Sequence, residues 1–343
     1  MQRPQGENEP MNIKLLKCHG SGNDFVLIDE ISNDYAIDES LRVKLVTELC
    51  DRNKAYGSDG LLYVQKSDRG DARMRFFNTD GSEAEMCGNG VRCVGRYVIE
   101  LLGKDEVDIE TMKRNIPIRK VADLFPDVPT FDVTIGEPNL SPASLPMNAD
   151  AEPFIDRPIP ALHESLRFTA LSIPNPHIVA VVDSFEPELI EVAERANADK
   201  TVFPRGVNVS FIKILGRDSI FVLTYERGVG VTNSCGTAMS ASSFVACLLG
   251  HCDPNVPIKV YNKGGMVNCF VDAEPAALAN GDAVVHLIGN ATWVFESTLE
   301  VPSADPAEWK AGGRTYFEEE NRQYDHLVDT VLAEIDAKSF YKI

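Results

Sequence analysis

The chain has 343 residues, 44% of them apolar, and a formal net charge of −19 from 52 acidic and 33 basic residues. That supplies core for one large domain or two ordinary ones. The acidic balance, with no basic run, argues against nucleic-acid backbone binding, and no apolar stretch approaches the roughly 18–20 residues of a membrane span.

The opening "MQRPQGENEP" is polar, without a hydrophobic signal core, and reads as a disordered lead-in over residues 1–10 of a cytoplasmic protein. "MNIKLLKC" from Met11 is a strand, "HGSGND" a glycine-rich turn and "FVLID" a second strand. Glu39 to Asp51 has helical spacing through Leu41, Leu45 and Leu49. "YGSDGLLYV" enters a strand, and "RMRFFNTDGSEAEM" is a strand followed by a polar loop. Cys87 then opens a helix with Val91, Val94, Val98 and Leu101 on one face, stopped by Gly103.

The second half repeats this order. "RFTALSI", "PNPH" and "IVAVVD" give strand, turn, strand; "EPELIEVAERANA" is a helix; "GVNVSFIKIL" and "IFVLTYERGVGV" are strands. Cys235 opens a helix bearing Met239, Phe244, Val245 and Leu248, stopped by Gly250. Asn23 lies 64 residues before Cys87 and Asn175 lies 60 before Cys235; Asp59 lies 28 before and Asn208 27 before; Asn78 and Glu226 each lie 9 before. The order points to two similar halves, 11–130 and 131–289, joined through a proline-rich segment. After Val301, Phe317, Tyr324, Leu327, Val328, Val331 and Ile335 make an amphipathic stripe in an acidic helical extension, 302–343, read as packing or a homodimer contact.

A cysteine in the first turn of a helix meets unpaired backbone N–H groups and the positive end of the dipole, which favour the thiolate and bring thiol pKa values to roughly 3.5–7.5. The same N–H groups bind carboxylates, and the glycines after each cysteine allow close approach. Two such sites facing each other suit inversion at a carbon. One sulfur takes the α-proton, the other returns one, and fixed donors stabilise the enolate-like charge. A single cysteine before glycine is more often packing than a base, by roughly nine to one; the pairing shifts that balance. Cys18, Cys50, Cys93, Cys247, Cys252 and Cys269 lack such pairing and read as core. The chain is too long to need disulfides, and without a CxxC pair no metal is expected. Asn23, Asn78, Asn175 and Asn208 have turn residues as their plain reading, His19 and His177 structural hydrogen bonding, and Arg227 an ion pair with Glu226. "GSGND" is too short for a dinucleotide fingerprint.

The stretches "KCHGSGNDFVLID", "GSDGLL", "FFNTDGSEAEMCGNGVRC", "NPHIVAVVD", "FPRGVNVSF", "YERGVG" and "SCGT" together resemble the diaminopimelate epimerases, cofactor-independent amino acid epimerases. The resemblance implies an α/β (α+β) fold of two pseudo-symmetric domains, each a strand-rich roll around a central helix, with the active site in the interdomain cleft and a last strand near 290–301 returning to the first domain. It implies Cys87 and Cys235 as the bases, Asn23, Asn78, Asn175, Asn208, Glu226 and Arg227 as substrate contacts, and Gly88, Asn89, Gly236 and Thr237 as the carboxylate cradle. No cofactor, nucleic acid or membrane is implied; the partner is a small amino acid substrate. The chain departs from the family pattern at Pro174, Val231, Ala238, Met239 and Lys263, so a racemase of another amino acid such as histidine is the second reading. A non-catalytic amino acid binder or thiol redox protein is the third.

Overall fold

The computed structural model describes residues 10–232 and 234–336, so the expected lead-in falls outside the described residues except for Pro10. The chain is a mixed α/β protein rich in sheet, divided into two compact units: Met1–Pro117 with Ala291–Arg322, and Ile118–Asn290 with Gln323–Ile343.

In the first unit, strand Met11–Gly20 pairs antiparallel with Asn23–Asp29 through the two-residue turn Ser21-Gly22. Both turn residues have positive φ, 54° and 76°, the mirror-image geometry whose twist matches a tight hairpin. Helix α1 (Glu39–Cys50), capped by Asp38 Oδ1 accepting from Leu41 N at 2.8 Å, crosses over to Gly60–Gln65, parallel to Asn23–Asp29. Ala72–Asn78 returns antiparallel, and the short strand Glu83–Ala84 leads to helix α2 (Gly88–Leu102). Glu106–Glu110 then pairs parallel with Ala72–Asn78. On the other edge, Thr292–Val301 pairs antiparallel with Met11–Gly20. Strands of this unit pack around α2. Val91, Val94 and Val98 are buried, but Leu101 is exposed, because the helix ends at left-handed Gly103.

The second unit repeats the plan. Arg167–Ser172 and Pro176–Val181 form the hairpin, and helix α3 (Glu188–Ala198) crosses over to Asn208–Gly216, parallel to Pro176–Val181. Ser219–Glu226 returns antiparallel, Gly230–Thr232 is the short strand, and helix α4 (Gly236–Leu248) follows. Ile258–Asn262 pairs parallel with Ser219–Glu226; Gly265–Asp272, Val284–Asn290 and Thr130–Gly136 extend the sheet. α4 is the central helix here and is buried nearly all round, so its apolar residues form no single stripe. Ser240 and Ser243 instead hand their hydroxyls to carbonyls one turn back, Gly236 and Met239.

Two expected boundaries shift. The second unit begins at Ile118 rather than 131, because Ile118–Val121 pairs with Thr130–Val133 and Thr130–Gly136 pairs with Val284–Asn290. Residues 302–336 are not a separate extension. Lys310–Ala311 and Thr315–Tyr316 add to strand Thr292–Val301 of the first unit. Helix α5 (Glu318–Asp336) buries Tyr324, Leu327, Val331 and Ile335 in the second unit's core with Phe168, Phe185, Phe203, Phe211 and Phe221. Packing within the chain is what these four residues of the amphipathic stripe do. No helix among the described residues is long and apolar enough to cross a membrane.

Candidate active site

Cys87 and Cys235 occupy the same place in their units: the N-cap of the central helix, with extended backbone at φ −136°, ψ 115° and φ −128°, ψ 112°. Each is the residue before the first helical turn rather than inside it. The carbonyl accepts the first helical bond, from Val91 N and from Met239 N respectively. The side chain is left at the helix mouth, where first-turn amides have no carbonyl four residues back.

Around Cys87, the Gly90 amide donates to Sγ at 3.4 Å. A Cβ at position 90 would stand 3.0 Å from Leu62 Cδ2, so glycine lets the turn seat against the sheet. Asn23, the first residue after the tight turn, places its carbonyl Oδ1 3.8 Å from Cys87 Sγ and accepts from Asn89 Nδ2 at 3.2 Å. Asn89 Oδ1 accepts from Arg92 Nη2 at 3.0 Å, and Arg92 also donates to Ser21 Oγ at 3.0 Å and the Gly88 carbonyl at 3.3 Å. Arg92 is fully buried. It therefore ties the hairpin turn to the first turn of α2. Asn78, at the end of its strand, turns its amide to Ser82 Oγ at 3.1 Å and serves the 78–82 turn.

Around Cys235, Thr237 Oγ1 lies 3.5 Å from Sγ. Glu226, at the end of strand Ser219–Glu226, borders the same thiol. Burial pushes its carboxyl above the usual carboxylate range, opposed by the neighbouring Thr232 hydroxyl and Cys235 thiol. The side chain expected to hold substrate thus also touches the second cysteine. Asn208 Oδ1 accepts from the Arg227 amide at 2.8 Å, and Asn208 sits opposite His177 in the parallel strand pair. His177 Nε2 lies 2.9 Å from Asn175 Oδ1. Burial, with the Arg227 charge adding to it, lowers the His177 pKa to about 3 and keeps the ring neutral. The Glu226 carboxyl interacts with Thr232 and Cys235 rather than with the adjacent Arg227. The Arg227 side chain instead reaches the Arg205 carbonyl at 3.3 Å. It lines a cavity of about 470 Å³ with Lys200, Arg205, Asn197 and Tyr225.

The sequence reading missed Arg92, Lys200 and Arg205. An arginine inside the apolar-periodic run "GVRCVGRYV" was the available sign for the first. Lys200 stands singly in a loop and carried none, whereas Arg205 lies within the family-like stretch "FPRGVNVSF". Among the departures, Val231 is 47% exposed on the short strand before α4, while Ala238 and Met239 are buried in the helix.

The family model described as diaminopimelate epimerase matches residues 15–134 and 169–294, one stretch per half. The chain is 45% identical over 320 residues to the diaminopimelate epimerase of Clostridium acetobutylicum, covering 93% of this chain and 95% of that one. It is 42% identical to that of Listeria welshimeri, covering 93% and 97%. Among solved structures it resembles a Bacillus anthracis phenazine biosynthesis protein of the PhzF family, with TM-score 0.61, 16% identity and coverage of 84% and 98%. It also resembles a hydroxyproline epimerase from Agrobacterium vitis, with TM-score 0.53, 15% identity and coverage of 84% and 91%. At those identities the structures share the fold alone. On the matched family model and the identity over nine-tenths of its length, the chain belongs to the diaminopimelate epimerase family of isomerases.

Proposed function

We propose that this protein interconverts L,L- and meso-diaminopimelate by two-base proton transfer between Cys87 and Cys235, a cytoplasmic step in lysine and peptidoglycan precursor synthesis. The observation that carries this reading is the duplicated N-cap cysteine in a chain of this family. Inversion through a planar intermediate needs a proton removed from one face and another returned to the opposite face. Two thiol groups, one ionised and one protonated, supply base and acid without a cofactor. After one turnover the two sulfurs have exchanged protonation states, and no electrons have been transferred.

The α-proton of an amino acid is weakly acidic, so the carboxylate beside it must be held by fixed donors as charge moves onto it. First-turn amides at Gly88 and Asn89, and at Gly236 and Thr237, are suited to that. Arg227, Asn175, Asn208 and Asn78 are assigned to the polar groups of the non-reacting end. The Arg227-lined cavity, with Lys200 and Arg205, favours a substrate that carries a second carboxylate. Glu226, beside Cys235, is assigned to holding that thiol's proton.

The test is solvent exchange. Reduced protein is incubated with L,L-diaminopimelate in deuterated water without pyridoxal phosphate, and the α-proton signal is followed with the appearance of the meso form. Deuterium entering with inversion supports the reading. Active, folded protein that exchanges nothing would overturn it; exchange confined to another amino acid, histidine first among those tried, would leave the chemistry and replace the substrate.

A further inference from the structure

Asn23 has two faces. Its Nδ2 donates to Asp59 Oδ2 at 2.8 Å, and its Oδ1 faces Cys87 Sγ and Asn89 Nδ2. A carboxylate only accepts hydrogen bonds, whereas a primary amide has one accepting and one donating end. Asp59 is itself fixed. Its Oδ2 also accepts from the Asp24 amide at 3.1 Å, its own amide donates to the Asp24 carbonyl at 2.8 Å, and its Oδ1 accepts from Arg52 Nη2 at 2.6 Å. Arg52 is shared with the Asp24 carboxylate, which also pairs with the buried Lys17. Reversing the Asn23 amide would put its carbonyl against the Asp59 carboxylate and its NH2 against the Asn89 NH2.

We propose that Asp59 is a positioning residue for Cys87: its acceptor-only carboxylate locks the Asn23 amide with the carbonyl toward the sulfur. The carbonyl accepts from the protonated thiol and repels the thiolate, whereas the Gly90 amide does the reverse. The two together set how readily Cys87 holds and gives up its proton. The titratable and charged groups in this region are Lys17 and His19 on the first strand, Asp24 on the second, Arg52 and Asp59 before the third, and Arg92 on α2. Asp59 bonds the Asn23 side chain directly. Its functional meaning rests on Cys87 being a proton-transfer base, but the inference about its thiol does not.

The experiment measures the rate at which iodoacetamide alkylates Cys87, followed by peptide mass spectrometry from pH 5 to 9, without substrate. The proteins are wild type and Asp59→Asn, Asp59→Glu and Asn23→Ala, each checked for native thermal unfolding. An asparagine at 59 can donate as well as accept, so it frees the Asn23 amide to turn. Asp59→Asn is expected to alkylate about tenfold faster near neutral pH, one unit of displacement in the pH profile. Asp59→Glu keeps an acceptor-only group and is expected to track wild type. Asn23→Ala removes the carbonyl and is expected to shift the same way as Asp59→Asn. Adding Asp59→Asn to it should change nothing more. A wild-type profile in Asn23→Ala, or an undiminished Asp59→Asn effect in that background, would overturn the proposal. Because the readout needs no turnover, it stands or falls separately from the solvent-exchange test of the epimerase reading.

Discussion

Gly20 lies against Asn89 so closely that a Cβ on it would stand 2.9 Å from the Asn89 carbonyl oxygen, 3.2 Å from its Cα and 2.9 Å from Arg92 Nη2. Two of these three atoms are backbone or fixed by it, so they cannot swing aside. Gly20 ends the first hairpin strand, and Asn89 is in the first turn of α2, so this contact sets the distance from Asn23 to Cys87. Gly20→Ala should cost about 1–3 kcal/mol of stability through overpacking. It should also reduce turnover on the order of 100-fold, the usual consequence of a displacement near 1 Å at a reacting group. Urea unfolding and the exchange assay measure the two effects. A variant with full activity would show that the helix mouth tolerates the shift.

The two cysteines should fail in different ways when removed singly. A lone thiolate can take an α-proton and return a solvent-derived one to the same face, giving exchange without inversion. Cys87→Ala and Cys235→Ala should each lose epimerisation by about 10²–10⁴-fold, the usual contribution of a positioned acid or base. Each should still wash deuterium into one stereoisomer, and the two variants should select opposite stereoisomers. Inversion at the wild-type rate in either variant would rule out the two-base scheme.

Glu226 gives a prediction of opposite sign for stability and activity. Its carboxyl is raised by burial, so the folded state holds the proton more tightly than the unfolded chain does. A group raised in this way contributes stability below its unfolded pKa, and the contribution is lost as pH rises through the folded value. Near neutrality the half-buried carboxylate is therefore a liability. Glu226→Gln should melt higher than wild type at pH 7, with the difference closing toward pH 4, while turnover falls because a neutral amide replaces the carboxyl that borders the Cys235 thiol. Thermal unfolding across pH, set beside exchange rates, reads both.

What the sequence displayed was local. Cysteine before glycine at the start of an apolar-periodic run, a glycine at the far end of α2 and the repeated strand-turn-strand order are all decided by neighbours in the chain. They carried the repeat, both helix-mouth thiols and the strands ahead of each central helix, but not Glu106–Glu110, Asn115–Val121, Thr130–Gly136, Ile258–Asn262, Gly265–Asp272 or Val284–Asn290. Hidden from it were contacts closed over long separations: Thr130–Gly136 pairing with Val284–Asn290 and so drawing the Ile118–Val121 hairpin partner into the second unit, and Arg92 reaching Ser21, 71 positions away. The C-terminal stripe was visible, but its partner was not, since Leu327 belongs to a core cluster whose phenylalanines are drawn from across the second unit. Leu327, 3% exposed, should therefore behave as core, and Leu327→Ala should cost about 2–5 kcal/mol in urea unfolding. A loss under 0.5 kcal/mol would return that helix to the status of an appendage.

Acid stability should be governed in part by two histidines that the fold keeps neutral. His177 is fully buried, and burial, then the Arg227 charge, lowers its pKa to about 3. His19 is lowered to about 4, by burial first and then by Lys17 and Arg92, against the opposing Asp24. In the unfolded chain both titrate near the ordinary histidine value of about 6.5. Below that value the unfolded state binds protons that the native state refuses, so stability present above about pH 6.5 is lost as pH falls toward the folded values. Each histidine contributes a slope approaching about 1.4 kcal/mol per pH unit inside its window. The window for His19 closes near pH 4, and that for His177 extends to about pH 3. His177→Gln, which keeps a side chain able to bond Asn175, should flatten the fall in unfolding free energy between pH 6 and pH 4 by about one proton's worth. Carboxylates common to both proteins cancel in the difference. If wild type and His177→Gln lose stability in parallel over that range, His177 is not the group taking up the proton on unfolding.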